Sequence, residues 1–258
     1  MADNLYNLIS LIFIIILTKE VACKVVNNNR GNKNCYVDLS HALYPGMLVF
    51  PNSSAFSIVV VAKIGVNDSV FRAENISTPT HIGTHVDAPS HLFKTEKNID
   101  DIPIENFIGS VCVINIADKS YVDPYAKLTK YDLVLWKQSN GDFSCDFLLV
   151  RTDWDRFWGD RLQYIGPNNN TLRFPSISTK AAKWIVDNTN IRGVGIDTIS
   201  VDISVNLPVH KILLSKHSLV IENLANLKQL PSTGARLYAV PINIKGASGA
   251  PARVFAKI

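Results

Sequence analysis

A single α/β domain is what this sequence predicts, and three observations carry the prediction. Short runs rich in Val and Ile recur at residues 56–64, 111–116, 147–151, 194–196, 219–221 and 237–244, and their length and β-branched content mark strands. Between them, residues 178–188 carry apolar side chains at helical spacing. The 258 residues, 47% of them hydrophobic and 19% charged, suffice for one full core, and no repeat, low-complexity tract or linker divides them.

The first element in chain order is an address. Residues 8–17 (LISLIFIIIL) are almost purely apolar, but a membrane-spanning helix needs about 20 such residues. The run fits the apolar core of a secretory signal peptide, with small residues at Val21, Ala22 and Cys23 for cleavage, although no Lys or Arg precedes it. Residues 1–23 are therefore expected to be a signal peptide and 24–258 a mature domain, secreted or held in the secretory-pathway lumen and free of the membrane. Asn-x-Ser/Thr sequons at Asn52, Asn67, Asn75 and Asn169 agree with a glycoprotein. Cleavage after Cys23 leaves Cys35, Cys112 and Cys145, hence at most one disulfide and one leftover thiol. Their spacing matches no zinc module.

The strand at 111–116 is followed by a helical stretch at 129–136, and the strand at 147–151 by an exposed loop at 166–170 (GPNNN). Ser178 can cap the helix in which Ala181, Ala182, Ile185 and Val186 recur at helical spacing. The formal charge is +4, with no concentrated basic stripe of the kind a nucleic-acid binder carries.

The chemistry is concentrated in HIGTHVDAPSH, residues 81–91, which holds three of the six histidines with Asp87 between them. Imidazole and carboxylate groups are ligands for Zn²⁺ and its neighbours. An ideal strand would send His81, His85, Asp87 and His91 to one face. At ~3.3 Å per residue, however, His81 and His85 would stand about 13 Å apart, too far for bonds of about 2 Å to one ion. The backbone must fold back. Gly83 offers the freedom to do so and leaves room for an ion, and Pro89 stiffens the exit. Further ligands are expected in residues 206–227: His210 precedes an apolar stretch, and Glu222 ends the strand-like LVIE, where a carboxylate is costly to bury unless a cation meets it. His41 and His217, each isolated, read as ordinary loop histidines.

The segment 81–91 matches H-x-G-T-H-x-D-x-P-x-H and so resembles the cyclase-like family, which includes metal-dependent kynurenine formamidases (arylformamidases) and isatin hydrolases. Asp38-Leu39-Ser40, the Gly46 to Pro51 segment, LLVRTDW at 148–154, GIDTISVD at 195–202 and GASGAPARV at 246–254 are similar to further family blocks. The resemblance implies a swivelling β/β/α fold, a homodimer or tetramer, and a centre of one or two divalent ions, Zn²⁺ first and Mn²⁺ second. It implies His81, His85 and Asp87 at one metal, with Asp87 and Glu222 bridging to a second that His210 also binds. It also implies His91 as proton donor and acceptor, and Phe50 where bacterial formamidases place a substrate-stacking Trp. The implied reaction is hydrolysis of a small-molecule aryl formamide, N-formyl-L-kynurenine to L-kynurenine and formate, in tryptophan catabolism. The alternatives are a cyclic amide such as isatin, or a secreted metal-binding protein without catalysis. Such a centre brings the pKa of water down to about 7, and a histidine beside it can pass the proton to the leaving nitrogen. A serine hydrolase would instead need G-x-S-x-G, which the sequence lacks.

Overall fold

The computed structural model describes residues 35–258 apart from 68 and 168–170. The signal peptide expected at 1–23 and the sequon Asn169 lie outside the described residues. The strands are β1 (Tyr36–Asp38), β2 (Ser57–Ala62), β3 (Ala73–Ser77), β4 (His85–Asp87), β5 (Ile108–Asn115), β6 (Lys127–Leu128), β7 (Phe147–Arg151), β8 (Ser176–Ile177), β9 (Gly193–Ile196), β10 (Leu219–Glu222), β11 (Ala235–Tyr238), β12 (Gly249–Pro251) and β13 (Phe255–Lys257). The α-helices are α1 (Ala117–Val122), α2 (Lys130–Asn140), α3 (Arg161–Tyr164), α4 (Thr179–Asn188) and α5 (Pro208–Leu214). One sheet runs in the order β1-β13-β11-β5-β7-β9-β10-β4-β12. Its centre, β5-β7-β9-β10, is parallel, because a helical crossover carries the chain back before each new strand. Antiparallel strands flank that centre on both sides.

Side chains alternate between the faces of a strand, which explains why the central strands read as unbroken apolar runs. Val111, Val113, Phe147, Leu149, Leu219 and Ile221 enter one core. Cys112, Ile114, Leu148, Val150 and Val220 enter the other, against Leu133, Trp136, Ala181, Ile185 and Leu213 of the helices. A strand buried on both faces has no polar side.

Helix α2 starts after Thr129, whose side chain accepts the Asp132 N–H. It runs four residues past the expected 136 and stops at Gly141, which takes φ +86°. Helix α4 is capped by Ser178, whose hydroxyl accepts the Ala181 N–H. The strand expected over 237–244 is cut short at Tyr238. Pro241 brings no N–H to a ladder and makes an isolated bridge with Ala252 instead. The leftover thiol is a second correction. Cys112 and Cys145, brought together by the pairing of β5 and β7, form a disulfide with Cα atoms 5.8 Å apart, and Cys35 is disulfide-bonded as well. Among the described residues no helix is long and apolar enough to cross a membrane. Strands β2 and β3 form a hairpin separate from the main sheet.

Candidate metal centre

Strand β4 places the histidine motif inside the sheet. It pairs with β10, setting Glu222 opposite His85 and Val220 opposite Asp87, and with β12, setting Gly249 opposite Asp87. His85 and Asp87 are two apart and share a face, and the cross-strand neighbour Glu222 joins them there. The motif does fold back. Before β4, Gly83 takes φ +55°. After it, a 3-10 turn at Pro89–His91 returns the ring of His91 to 4.1 Å from that of His81 and 5.9 Å from that of His210. Gly83 performs only one of its two expected tasks. It frees φ, but a Cβ there would lie 2.5 Å from Leu43 Cδ2, so the space beside it belongs to apolar packing and not to an ion. The glycine that makes room for a side chain of the cluster is Gly249, where a Cβ would collide with the ring of His81.

His85, Asp87, His210 and Glu222 are all buried. His85 Nε2 stands 3.3 Å from Asp87 Oδ1 and 3.5 Å from Glu222 Oε2. His210 Nε2 stands 3.4 Å from Asp87 Oδ2 and 3.1 Å from Glu222 Oε1. The other nitrogen of each ring is engaged elsewhere: His85 Nδ1 bonds the Gly83 carbonyl at 2.9 Å, and His210 Nδ1 bonds Asp202 at 2.9 Å. These bonds assign the proton to Nδ1 and aim both Nε2 atoms at the carboxylates. His81 lies across Asp87, with Nδ1 2.6 Å from Oδ1, and its Nε2 meets Ser248 Oγ at 3.0 Å. The donor atoms form two groups that share Asp87. One is His81, Asp87 and His91; the other is His85, Asp87 and Glu222; within each group the atoms lie within 4.8 Å of one another.

Burial works against a charge on His85, yet the carboxylates of Asp87 and Glu222 outweigh it and push its pKa up to about 9. His210 is likewise held well above the usual range by Glu222, Asp202 and Asp87 in spite of burial. Burial alone would raise Asp87, but His85 and the hydrogen bonds from the three imidazoles keep it well below the usual carboxylate range. Protons on the imidazoles thus balance buried anions, which is where a divalent cation would compete and release them. His91 goes the other way. Burial lowers its pKa and Asp87 offsets only part of that, which favours the neutral ring.

The residues that orient the ligands were not legible as site residues. Asp202 closes GIDTISVD, and its carboxylate accepts the backbone N–H groups of Val209 and His210 as well as the His210 ring. Asn223, directly after Glu222 and at φ +54°, donates to the Gly83 carbonyl at 2.8 Å and accepts the Tyr164 hydroxyl at 2.9 Å. It thereby holds the carbonyl that orients His85. His41 is more than an ordinary loop histidine. It stacks on Trp158 at 4.0 Å, and burial lowers its pKa to about 4. His217 is exposed, 3.1 Å from Glu96.

A cavity of about 300 Å³ opens over the cluster. Leu48, Val49, Phe50, Ile82, Ile199 and Leu207 supply apolar walls, and among the described residues no Lys or Arg lines it. Phe50 therefore stands on the cavity wall. An apolar chamber with a few convergent polar groups suits a small organic ligand. The donor set suits a divalent cation, since two buried carboxylates face imidazoles and, among the described residues, no lysine or arginine lines the cavity to neutralise them.

Residues 37–203 match the Cyclase family. The kynurenine formamidase of Salinibacter ruber is 28% identical to this chain over 225 residues, covering 84% of this chain and 94% of that protein. Isatin hydrolase A from Labrenzia aggregata, solved bound to benzyl benzoate, superimposes with a TM-score of 0.82 at 31% identity, covering 87% of this chain and 94% of that one. A structure described as a potential metal-dependent hydrolase with cyclase activity aligns with a TM-score of 0.68 at 25% identity, covering 87% and 98%.

Proposed function

Since the chain belongs to the cyclase family of metal-dependent hydrolases, we propose that it cleaves the amide bond of a small aryl formamide, N-formyl-L-kynurenine giving L-kynurenine and formate. The observation that carries this reading is the convergence of two buried carboxylates and the Nε2 atoms of His85 and His210 at the floor of an apolar cavity, with His91 alongside. In this reading His81, His85 and Asp87 would hold one divalent ion, and Asp87, Glu222 and His210 would hold a second. Zn²⁺ is the first choice for such donors and Mn²⁺ the second.

When bound, the ion supplies a Lewis acid that acidifies water and polarises a carbonyl oxygen. The chain's own residues do the rest. Leu48, Phe50, Ile82 and Ile199 enclose the aryl group and exclude bulk water from it. His91 takes the proton of the attacking water and passes it to the amide nitrogen, which leaves only once protonated. Asp202 and the Gly83 carbonyl keep the protons of His210 and His85 on Nδ1, so that each Nε2 would be free to hold an ion.

The likeness in fold to isatin hydrolase A supports a second reading, the opening of a cyclic amide such as isatin. A substrate panel separates the two. Metal-reloaded protein is offered N-formylkynurenine, N-formylanthranilate and isatin, and formate release and isatin absorbance are followed. Formate release supports the first reading, and isatin opening without formate moves the assignment to the second. Turnover of neither overturns both and leaves a metal-binding protein without this catalysis.

We also infer entry into the secretory pathway with an N-terminal signal peptide removed. The apolar run at 8–17, the exposed sequons Asn52, Asn67 and Asn75 and the Cys112–Cys145 disulfide support an oxidising compartment. N-terminal sequencing and a glycosidase mobility shift test it, and a retained Met1 overturns it.

A further inference from the structure

A second cavity, of about 330 Å³, lies at the end of β10 away from Glu222. It shares no lining residue with the chamber over the metal cluster, and the reaction proposed above makes no use of it. Pro89, Ile102 and Leu219 give it apolar walls. Pro89 opens the turn that ends at His91, and Leu219 opens the strand that ends at Glu222. The Lys97 carbonyl accepts the Ser90 N–H at 3.1 Å, which ties the polar side of the cavity to that same turn.

The polar side is cationic. Its charged members are Glu96, Lys97, Arg192 and, when protonated, His217, and the Asn106 carboxamide stands beside them. Glu96 is the one carboxylate in the lining, and His217 engages it at 3.1 Å. Lys97 has no ion pair among the described residues. Arg192 is anchored at one end of its guanidinium, where Nη2 donates to the Ile108 carbonyl at 2.7 Å and stands 3.1 Å from Asp146. That carboxylate is already shared with Ser110, whose N–H and hydroxyl both donate to it at 2.8 Å. The Nε of Arg192 is buried and meets no acceptor. A charged N–H left buried without an acceptor is costly, and such a group calls for an occupant that completes it.

We propose that this cavity binds a small organic carboxylate with an apolar body. Charge selects an anion, because Lys97 and the Arg192 Nε–H lack acceptors while the one lining carboxylate is taken. Size and walls select the rest. Cavities of about 300–1,000 Å³ with largely apolar lining take small organic molecules, whereas a bare inorganic anion leaves Pro89, Ile102 and Leu219 facing nothing. The carboxylate accepts from Arg192 and Lys97, a charge-assisted arrangement, and the body packs on the three apolar side chains. Such a ligand lies outside the metal chamber, so its binding is read without reference to turnover.

Isothermal titration of the full, metal-loaded protein with benzoate tests this, with benzamide as the neutral isostere and acetate as the anion without an apolar body. Benzoate is expected to bind about tenfold or more tighter than either control, the factor that a hydrogen bond to a charged group carries. K97E is expected to weaken benzoate about fivefold or more at an unchanged melting temperature. Photolabelling of the wild type with an azidobenzoate, mapped by mass spectrometry, separates this cavity from the metal chamber and needs no substituted protein. Label at residues 96–106, 192 or 217–219 that excess benzoate suppresses supports the site. Label confined to residues 48–53, 81–87 or 199–210 puts the carboxylate in the metal chamber and overturns it. Absence of benzoate binding overturns it too, as do equal affinities for benzoate and benzamide, or a folded K97E protein that binds benzoate as the wild type does.

Discussion

Replacing Asp202 by Asn preserves the size of the side chain and removes its charge and one acceptor oxygen. In the wild type, Oδ2 accepts both the backbone N–H and the ring Nδ1–H of His210 at 2.9 Å, and the carboxylate also accepts the Val209 N–H at 3.0 Å. Satisfying the first turn of a helix in this way contributes about 1 kcal/mol, and a hydrogen bond to a charged group about 1.5–3 kcal/mol. Asp202→Asn is therefore expected to cost the metal-free protein ~2–4 kcal/mol, read as a lower denaturant midpoint with an unchanged slope. The carboxamide can also turn its NH₂ toward the ring and favour the other tautomer, which puts the proton on His210 Nε2 and leaves no lone pair there for an ion. Loss of such an outer partner weakens metal binding by about 10–100-fold, measurable by competition titration with Zn²⁺. An unfolding free energy within about 0.5 kcal/mol of the wild type, together with unchanged Zn²⁺ affinity, would refute the idea that Asp202 orients His210.

His91→Ala and Glu222→Ala are expected to fail in different ways. The first should lower kcat by roughly 10²–10⁴ at nearly full metal content, and the second should lose metal first and recover in part with excess Zn²⁺ or Mn²⁺; equal metal loss in both would make His91 a ligand. Asp197 is a test of pH dependence away from the metal ligands. Burial pushes its pKa up to about 7 despite hydrogen bonds from Thr152, so the folded chain keeps a proton that the unfolded chain releases near pH 4. Stability from this source is full below about pH 4 and is lost as pH rises through about 7, by an amount on the order of 4 kcal/mol. Asp197→Asn should gain stability relative to the wild type between pH 5 and pH 8, and unfolding curves whose difference does not change with pH contradict this.

The parts of the fold that were readable from sequence are those in which the chain carries its own pattern. Residues 147–151 form a strand as read because both faces are buried and every position from Phe147 to Val150 is apolar. Ser178 caps a helix because its hydroxyl meets a donor three residues on. The motif at 81–91 was legible because four ligand-type side chains crowd one short segment, and Glu222 because a carboxylate at the end of an apolar strand needs a reason. Asp202 and Asn223 carry no such local signal. What makes them part of the site is the return of α5 toward the 195–202 segment and the closure of β10 on β4, which are long-range facts. The hairpin was missed for the opposite reason. Residues 56–64 have the composition of a core strand, and only the structure shows that strand standing outside the core.

The roles given to His81, His85, Asp87, His210 and Glu222 all require a divalent ion. Elemental analysis run alongside formate release, first on protein purified without chelator, then after stripping, then after reloading with Zn²⁺ or Mn²⁺, measures that requirement. One or two ions per chain are expected, with a rate that falls in step with metal content and returns on reloading. Stripped protein that turns over N-formylkynurenine at the full rate contradicts the metal mechanism.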